Sequence, residues 1–194
     1  MAEEQEIGGI DVSKPSIARA YDVVLGGKDN YAVDRQVVGE MLKIVPDLPQ
    51  VATYNRQILI RGVRYLVREA GIRQFLDLGS GLPTVQNTHQ VAQAIAPDAR
   101  VVYVDNDPIV LAHGRALLEE NENTAVVTAD LRDPGAVLDH PDVNRLIDFS
   151  QPVGLMLVGI THHLHDDEDP EGIAKAYIDA IPSGSYLFLT AFCW

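Results

Sequence analysis

Arg73-Gln-Phe-Leu-Asp-Leu-Gly-Ser-Gly81 holds a short apolar run, Phe75 to Leu78, which Asp77 alone interrupts and which breaks at Gly79-Ser80-Gly81. A run of this length bounded by glycine reads as a parallel strand buried on both faces. Glycine just past such a strand lets the backbone turn tightly and come close to a ligand. Strand, glycine turn and following helix make the nucleotide-binding corner of a doubly wound α/β sheet. The glycines alone do not name the ligand.

Asp77 narrows the choice. A dinucleotide site offers its glycine turn and helix N-terminus to a pyrophosphate, which a nearby carboxylate would repel. S-adenosylmethionine carries a positive sulfonium, a positive α-amino group and no phosphate, so the same carboxylate attracts it. Thr84 stands where a dinucleotide fingerprint would place its third glycine, which points the same way.

Upstream of the corner, residues 1 to 12 read as a flexible lead-in. Ser13-Lys-Pro-Ser16 opens a helix that runs to Leu25 and stops at Gly26-Gly27. Asn30 is placed to cap a second helix, whose Val33, Val37, Val38, Met41 and Leu42 recur at helical spacing and should pack on the domain. Pro46 and Pro49 mark a break. A third helix is expected from about Thr53 to Ala70, with Ile58, Leu59, Val63, Leu66 and Val67 on one side. Its Arg56, Arg61, Arg64 and Arg68 read as a solvated face rather than a binding patch.

Downstream, a helix with Val91, Ala92 and Ile95 precedes the strand Arg100-Val-Val-Tyr-Val-Asp105. Asn106-Asp107-Pro108 closes that strand, with Asp107 as cap and Pro108 opening a helix that carries Val110, Leu111, Leu117 and Leu118. Ala125 to Asp130 gives a third strand, short helices follow to about Ile147, and Pro152 to Ile160 is the fourth strand. A helix capped by Asp169 buries Ile173, Tyr177 and Ile178, and Tyr186 to Thr190 is the fifth strand. This alternation predicts a Rossmann-like, doubly wound, mostly parallel α/β sheet with right-handed crossovers. Residues 1–70 form a helical cap packed on a core of residues 71–194, within one structural domain.

Composition removes several functions. The chain has 194 residues, 15 Lys and Arg against 28 Asp and Glu, and a net charge of −13. A surface so acidic repels bulk nucleic acid. One cysteine, Cys193, rules out an internal disulfide, and no apolar run reaches the ~18 residues that span a bilayer. Met1-Ala-Glu-Glu-Gln-Glu6 lacks the features of a signal peptide, so a cytoplasmic location is expected.

Ligands of such a sheet bind at the carboxyl ends of the strands. Asp77, Asp105, Asp130 and the histidines after Ile160 end four strands. Asp105 falls near the interval of about 20 residues at which an acid reaches the ribose hydroxyls. Helix capping is its bland alternative, and Asp107 serves that better. Asp130 could accept from the adenine amino group while the Leu131 amide donates to the ring, or it could be a plain turn residue. His162 and His163, consecutive on an extended segment, should face opposite ways and lack a fourth ligand, so no metal site is expected. One imidazole could orient the nucleophile or take its proton; a surface pair is the bland reading.

Together these pieces resemble class I S-adenosylmethionine-dependent methyltransferases, with Asp77-Leu-Gly-Ser-Gly81 as the methionine-binding motif, Asp105-Asn106 after the second strand and Asp130-Leu131 after the third. The chain is more closely similar to a bacterial family of S-adenosyl methyltransferases long catalogued as a domain of unknown function. The match rests on Lys14-Pro-Ser-Ile-Ala-Arg19, Tyr21-Asp22, Leu25-Gly-Gly-Lys-Asp-Asn30, Asp34-Arg35, Gly71 to Gly79, Val102 to Pro108 and Gly184-Ser-Tyr-Leu187. The resemblance implies that Gly27 and Lys28 belong to a cap over the cofactor pocket, not to a phosphate loop. It implies transfer of a methyl group to a small-molecule nucleophile. A cofactor-binding domain without turnover is the alternative, and an NAD-dependent oxidoreductase a distant one. The class I fold typically adds two strands after the fifth. The chain is therefore expected to be a truncated form of a longer protein that alone is weakly stable or self-associates through residues 186–194, where an apolar edge strand at 186–190 is followed by exposed Phe192 and Trp194.

Overall fold

A computed structural model describes residues 6–7, 10–84, 86–118 and 121–192. Two short strands, β1 (Glu6–Ile7) and β2 (Ile10–Asp11), pair antiparallel where a flexible lead-in was expected. Helix α1 (Ile17–Val24) begins at Ser16, whose hydroxyl accepts from the Arg19 amide, and ends where Gly26 takes φ +75°. Helix α2 (Ala32–Ile44) is capped by Tyr31 rather than Asn30. Of its five expected apolar contacts Val38 is buried, while Val37 and Met41 stay exposed. Helix α3 (Leu48–Arg68) starts five residues before the expected point, because Pro49 sits in its first turn, where no backbone N–H is needed.

The core follows the expected alternation. β3 (Gln74–Leu78), α4 (Thr88–Gln93), β4 (Arg100–Asp105), α5 (Pro108–Leu118) and β5 (Thr124–Thr128) build one half. α6 (Pro134–Leu138), α7 (Pro141–Leu146), β6 (Gly154–Val158), α8 (Pro170–Ala180) and β7 (Tyr186–Thr190) build the other. The strand order is β5-β4-β3-β6-β7, with every pair parallel. The order reverses between β3 and β6, the switch point at which such sheets open a crevice.

Strand alternation divides the core into two layers. Phe75, Val101, Tyr103 and Met156 face α3 and α4, where Leu59, Val63, Val67 and Ala92 are buried. Leu76, Leu78, Val102, Val104, Leu155 and Leu157 face the other helices, with Val143, Ile173 and Tyr177. Ile178 departs from expectation and lies 43% exposed. Helix α5 comes close to β5 at Gly114, where a Cβ would stand 2.4 Å from Val126 Cγ2. Leu117 and Leu118, expected on that face, have side chains outside the described set, as do Cys193 and Trp194. In edge strand β7, Phe188 packs inward on Gly62 of α3, while Leu187 and Leu189 stand 42% and 45% exposed. Phe192 is not exposed as expected, because its ring lies on His162.

Candidate functional site

The carboxyl ends of β3 and β4 form one fastened corner. Gly79 and Gly81 take φ +66° and +68°, values that favour glycine. At Gly79 a Cβ would also stand 2.4 Å from Ile160 Cγ1. The Gly79 and Ser80 amides donate to the Val104 carbonyl at 2.8 and 3.2 Å. The Gly81 amide donates to Asp105 Oδ2 at 2.8 Å, and the Asp107 amide donates to Asp105 Oδ1 at 3.0 Å. Asp105 thus anchors the glycine turn, a role its sequence position did not reveal. Asp107 caps α5 as expected, its Oδ1 accepting from the Ile109 amide at 3.0 Å.

Asp77 lies beside this turn, 5% exposed, and accepts from Thr88 Oγ1 at 2.8 Å. Burial pushes its carboxyl up to about 6, against the lowering pull of the Thr88 hydroxyl and the Arg56 charge; nearby Asp105 adds to the rise. A cavity opens here between Arg56, Asp77, Ser80, Gly81, Thr88 and Tyr103. Arg56 therefore does not belong to a merely solvated face: it lines the cavity, and its Nη2 donates to the Gln86 carbonyl at 3.2 Å. Ser80 Oγ, Thr84 Oγ1 and Asp107 Oδ2 are buried and meet no hydrogen-bond partner among the described residues. Native proteins rarely leave such atoms unpaired without a ligand or water to serve them.

Asn106 and Asp130 lie together past the ends of β4 and β5, and the Asn106 side chain helps to hold the Asp130 carboxyl low. Asp130 also accepts from Arg132 Nε at 2.9 and 3.0 Å, and Arg132 Nη1 reaches Glu168 at 2.7 Å. The Arg132 bonds hold the Asp130 carboxyl below its ordinary range. Leu131 is buried, and its carbonyl accepts from Tyr177 Oη at 2.8 Å.

Thr161–His163 is a 3-10 turn, not an extended segment, so His162 and His163 do not face opposite ways; their rings meet at 4.1 Å, tilted by 41°. His162 also meets Phe192 at 4.7 Å. Burial, reinforced by His163, pushes the His162 imidazole down to about 4, and its buried Nδ1 has no partner among the described residues. Among the described residues no three His, Cys, Asp or Glu side chains converge as metal ligands, and no helix is long and apolar enough to cross a membrane.

Helix α1 packs against this end of the sheet. Ala18 of α1 packs with Leu82, Ile109 and Val110. Gly27 passes over Asp22, where a Cβ would stand 1.9 Å from Asp22 Oδ1, and the Asp29 amide donates to Asp22 Oδ2 at 2.9 Å. Lys28 is exposed, and Asp29 lies 3.8 Å from His113 Nδ1 of α5. The loop thus meets the helix that follows β4. Thr88 and Tyr103 join the site without a physical sequence signal beyond their polarity in apolar surroundings.

Among proteins of curated function, none matches the chain. A family model described as S-adenosyl methyltransferase matches residues 3–193. The structure is similar to that of a candidate methyltransferase from Thermobifida fusca, at 58% identity and a TM-score of 0.91 over 96% of this chain and 70% of that one. It is also similar to a DUF574 family protein from Streptomyces avermitilis, at 44% identity and a TM-score of 0.88 over 91% of this chain and 68% of that one. With a glycine corner faced by a buried carboxylate and a match along nearly its whole length, the chain belongs to the S-adenosyl methyltransferase family.

Proposed function

We propose that the chain binds S-adenosylmethionine at the ends of β3, β4 and β5 and transfers its methyl group to a small-molecule nucleophile. One observation carries the choice of cofactor. The three amides of the glycine corner already donate to Val104 and Asp105, and a carboxylate stands where a pyrophosphate would need positive charge. Such a corner suits a cation-bearing nucleoside and opposes a dinucleotide.

The chain's own groups divide the work. Asp77 offers counter-charge to the cationic end, and Ser80 offers an unpaired hydroxyl. Each Asp105 oxygen keeps a lone pair for a ribose hydroxyl after serving one amide. Asn106, Asp130 and Leu131 border the base side, and Gly27 and Lys28 belong to the loop above. When bound, the cofactor supplies a methyl group on a sulfonium that leaves readily. What remains for the protein is alignment of the nucleophile and exclusion of water. His162 is neutral at neutral pH and its Nδ1 can accept a hydrogen bond from the nucleophile; His163 flanks it. Cytoplasmic residence and pairing of two copies along β7 accompany this reading.

Calorimetry with S-adenosylmethionine, S-adenosylhomocysteine and NAD tests it. The first two should bind and NAD should not. In Asp105→Ala, S-adenosylmethionine should bind about 1.5–3 kcal/mol more weakly, the range for hydrogen bonds to a charged group. Tight binding of NAD alone would overturn the proposal, and a metabolite screen with tritiated methyl donor would identify the acceptor.

A further inference from the structure

Asn55 is the exception among the buried residues of α3, which are otherwise Leu48, Ala52, Leu59, Val63, Leu66 and Val67. An aliphatic side chain would fill the same place without needing partners, whereas a buried amide is costly unless both its ends are served. Both are served, across three elements. Its Nδ2 donates to Tyr21 Oη of α1 at 3.2 Å, and its Oδ1 accepts from Thr190 Oγ1 at the end of β7 at 2.7 Å. Tyr21 Oη donates onward to the Ala52 carbonyl at 3.3 Å. Gly159, at φ +69°, leaves room for the amide: a Cβ there would stand 3.0 Å from Asn55 Nδ2.

The same two strand ends carry the histidine platform. The Gly159 amide donates to the Thr190 carbonyl at 3.0 Å, and the ring of His162, three residues on, lies 4.7 Å from that of Phe192, two residues past Thr190. Asn55 therefore holds the backbone from which both rings project, and Tyr21 ties it to the cap. We propose that Tyr21, Asn55 and Thr190 are positioning residues that couple seating of the N-terminal cap to the placement of His162 and Phe192, and so assemble the side of the site that receives the methyl acceptor. Only the label of acceptor side rests on the methyl-transfer reading.

Two near-isosteric variants of the full chain, Thr190→Val and Tyr21→Phe, remove one hydroxyl each, and Asn55→Leu removes the hub. The readouts are the His162 ring-proton resonances, which the rings packed against it displace, and S-adenosylmethionine affinity by calorimetry. In all three variants the His162 signals should move toward those of a solvent-exposed histidine, and Thr190→Ser should restore them. Cofactor affinity should stay within about twofold, the scatter of sites that do not interact. Unmoved His162 signals in Thr190→Val and Tyr21→Phe would reduce the relay to packing, and a large loss of cofactor affinity would place its action on the other pocket; either result overturns the inference. If Asn55→Leu does not fold, the two hydroxyl variants decide. A wild-type chain that binds no S-adenosylmethionine would defeat the function proposed above, while the ring signals would still judge the relay.

Discussion

Two buried polar centres of this molecule are built in opposite ways. In the cap, Arg19 and Asp34 are 2% and 0% exposed and their donors and acceptors are matched within the protein. Asp34 accepts from the Ser16 and Tyr31 amides at 3.1 and 2.8 Å and from Arg19 Nε at 3.2 Å. Arg19 also donates to the Asp11 and Lys14 carbonyls and lies over the Tyr31 ring. At the glycine corner, Asp77 is also buried, yet the hydroxyls of Ser80 and Thr84 and an oxygen of Asp107 have no partner among the described residues. A complete network fixes structure; an incomplete one, kept at a cost, is a place for something else to bind.

The largest effect should come from breaking the complete centre. Asp34→Ala leaves Arg19 charged, buried and unpaired, and should cost about 3–5 kcal/mol in urea denaturation. A loss below about 1 kcal/mol would mean that the cap is held by its apolar contacts and that the contrast is misdrawn.

Asp77→Asn should act in the opposite direction on stability. The Asp77 carboxyl is raised from 3.8 to about 6 by folding, so it ionises more readily in the unfolded chain. The stability its neutral form contributes is complete below about pH 4 and lost as pH rises through about 6, a change of order 3 kcal/mol. The amide variant does not ionise. Without ligand it should be more stable than the wild type at pH 7 and no more stable at pH 4, as paired denaturation curves would reveal. It should also bind S-adenosylmethionine less well, and the rise in wild-type affinity between pH 5 and pH 7 should vanish. Equal or greater affinity in the variant would remove Asp77 from the cofactor site.

The smallest effect concerns the open edge. Leu189→Lys places a charge on an exposed position of β7 and should leave stability within about 0.5 kcal/mol of the wild type. Light scattering across a concentration series should show wild-type association that this variant lacks. A wild type that stays monomeric at high concentration would end the pairing proposal.

What could be read from sequence was whatever is local. Asp77 stood out because a charge inside an apolar strand is expensive, and the strand order's ingredients stood out because glycine, proline and caps punctuate them. Arg56 was misjudged since helical spacing describes one helix, whereas its partner Gln86 comes from a distant loop. Asn55 met the same limit, its partner Thr190 lying 135 positions away. The histidines were misplaced because a single 3-10 turn has no periodicity to detect, and the turn sets their rings side by side. Arg19 and Asp34 were legible only through family resemblance: their spacing carries no physical signal of an ion pair.

The bonds that clamp the glycine turn from beneath, through Val104 and Asp105, bear on the tempo of turnover. A turn already fixed by its own chain has no ordering entropy left to lose when a ligand arrives, so capture of the donor need not wait for that loop to settle. On the proposed reading, escape of the spent nucleoside would then depend on the N-terminal segment. The half-buried His113 and the exposed Asp29, 3.8 Å apart, form one contact between the N-terminal segment and the core, beside the buried cluster of Ala18, Leu82, Ile109 and Val110. If the chain transfers methyl groups as proposed, release of the product would require these contacts to part, and lid opening of that kind sets the slow step in many enzymes.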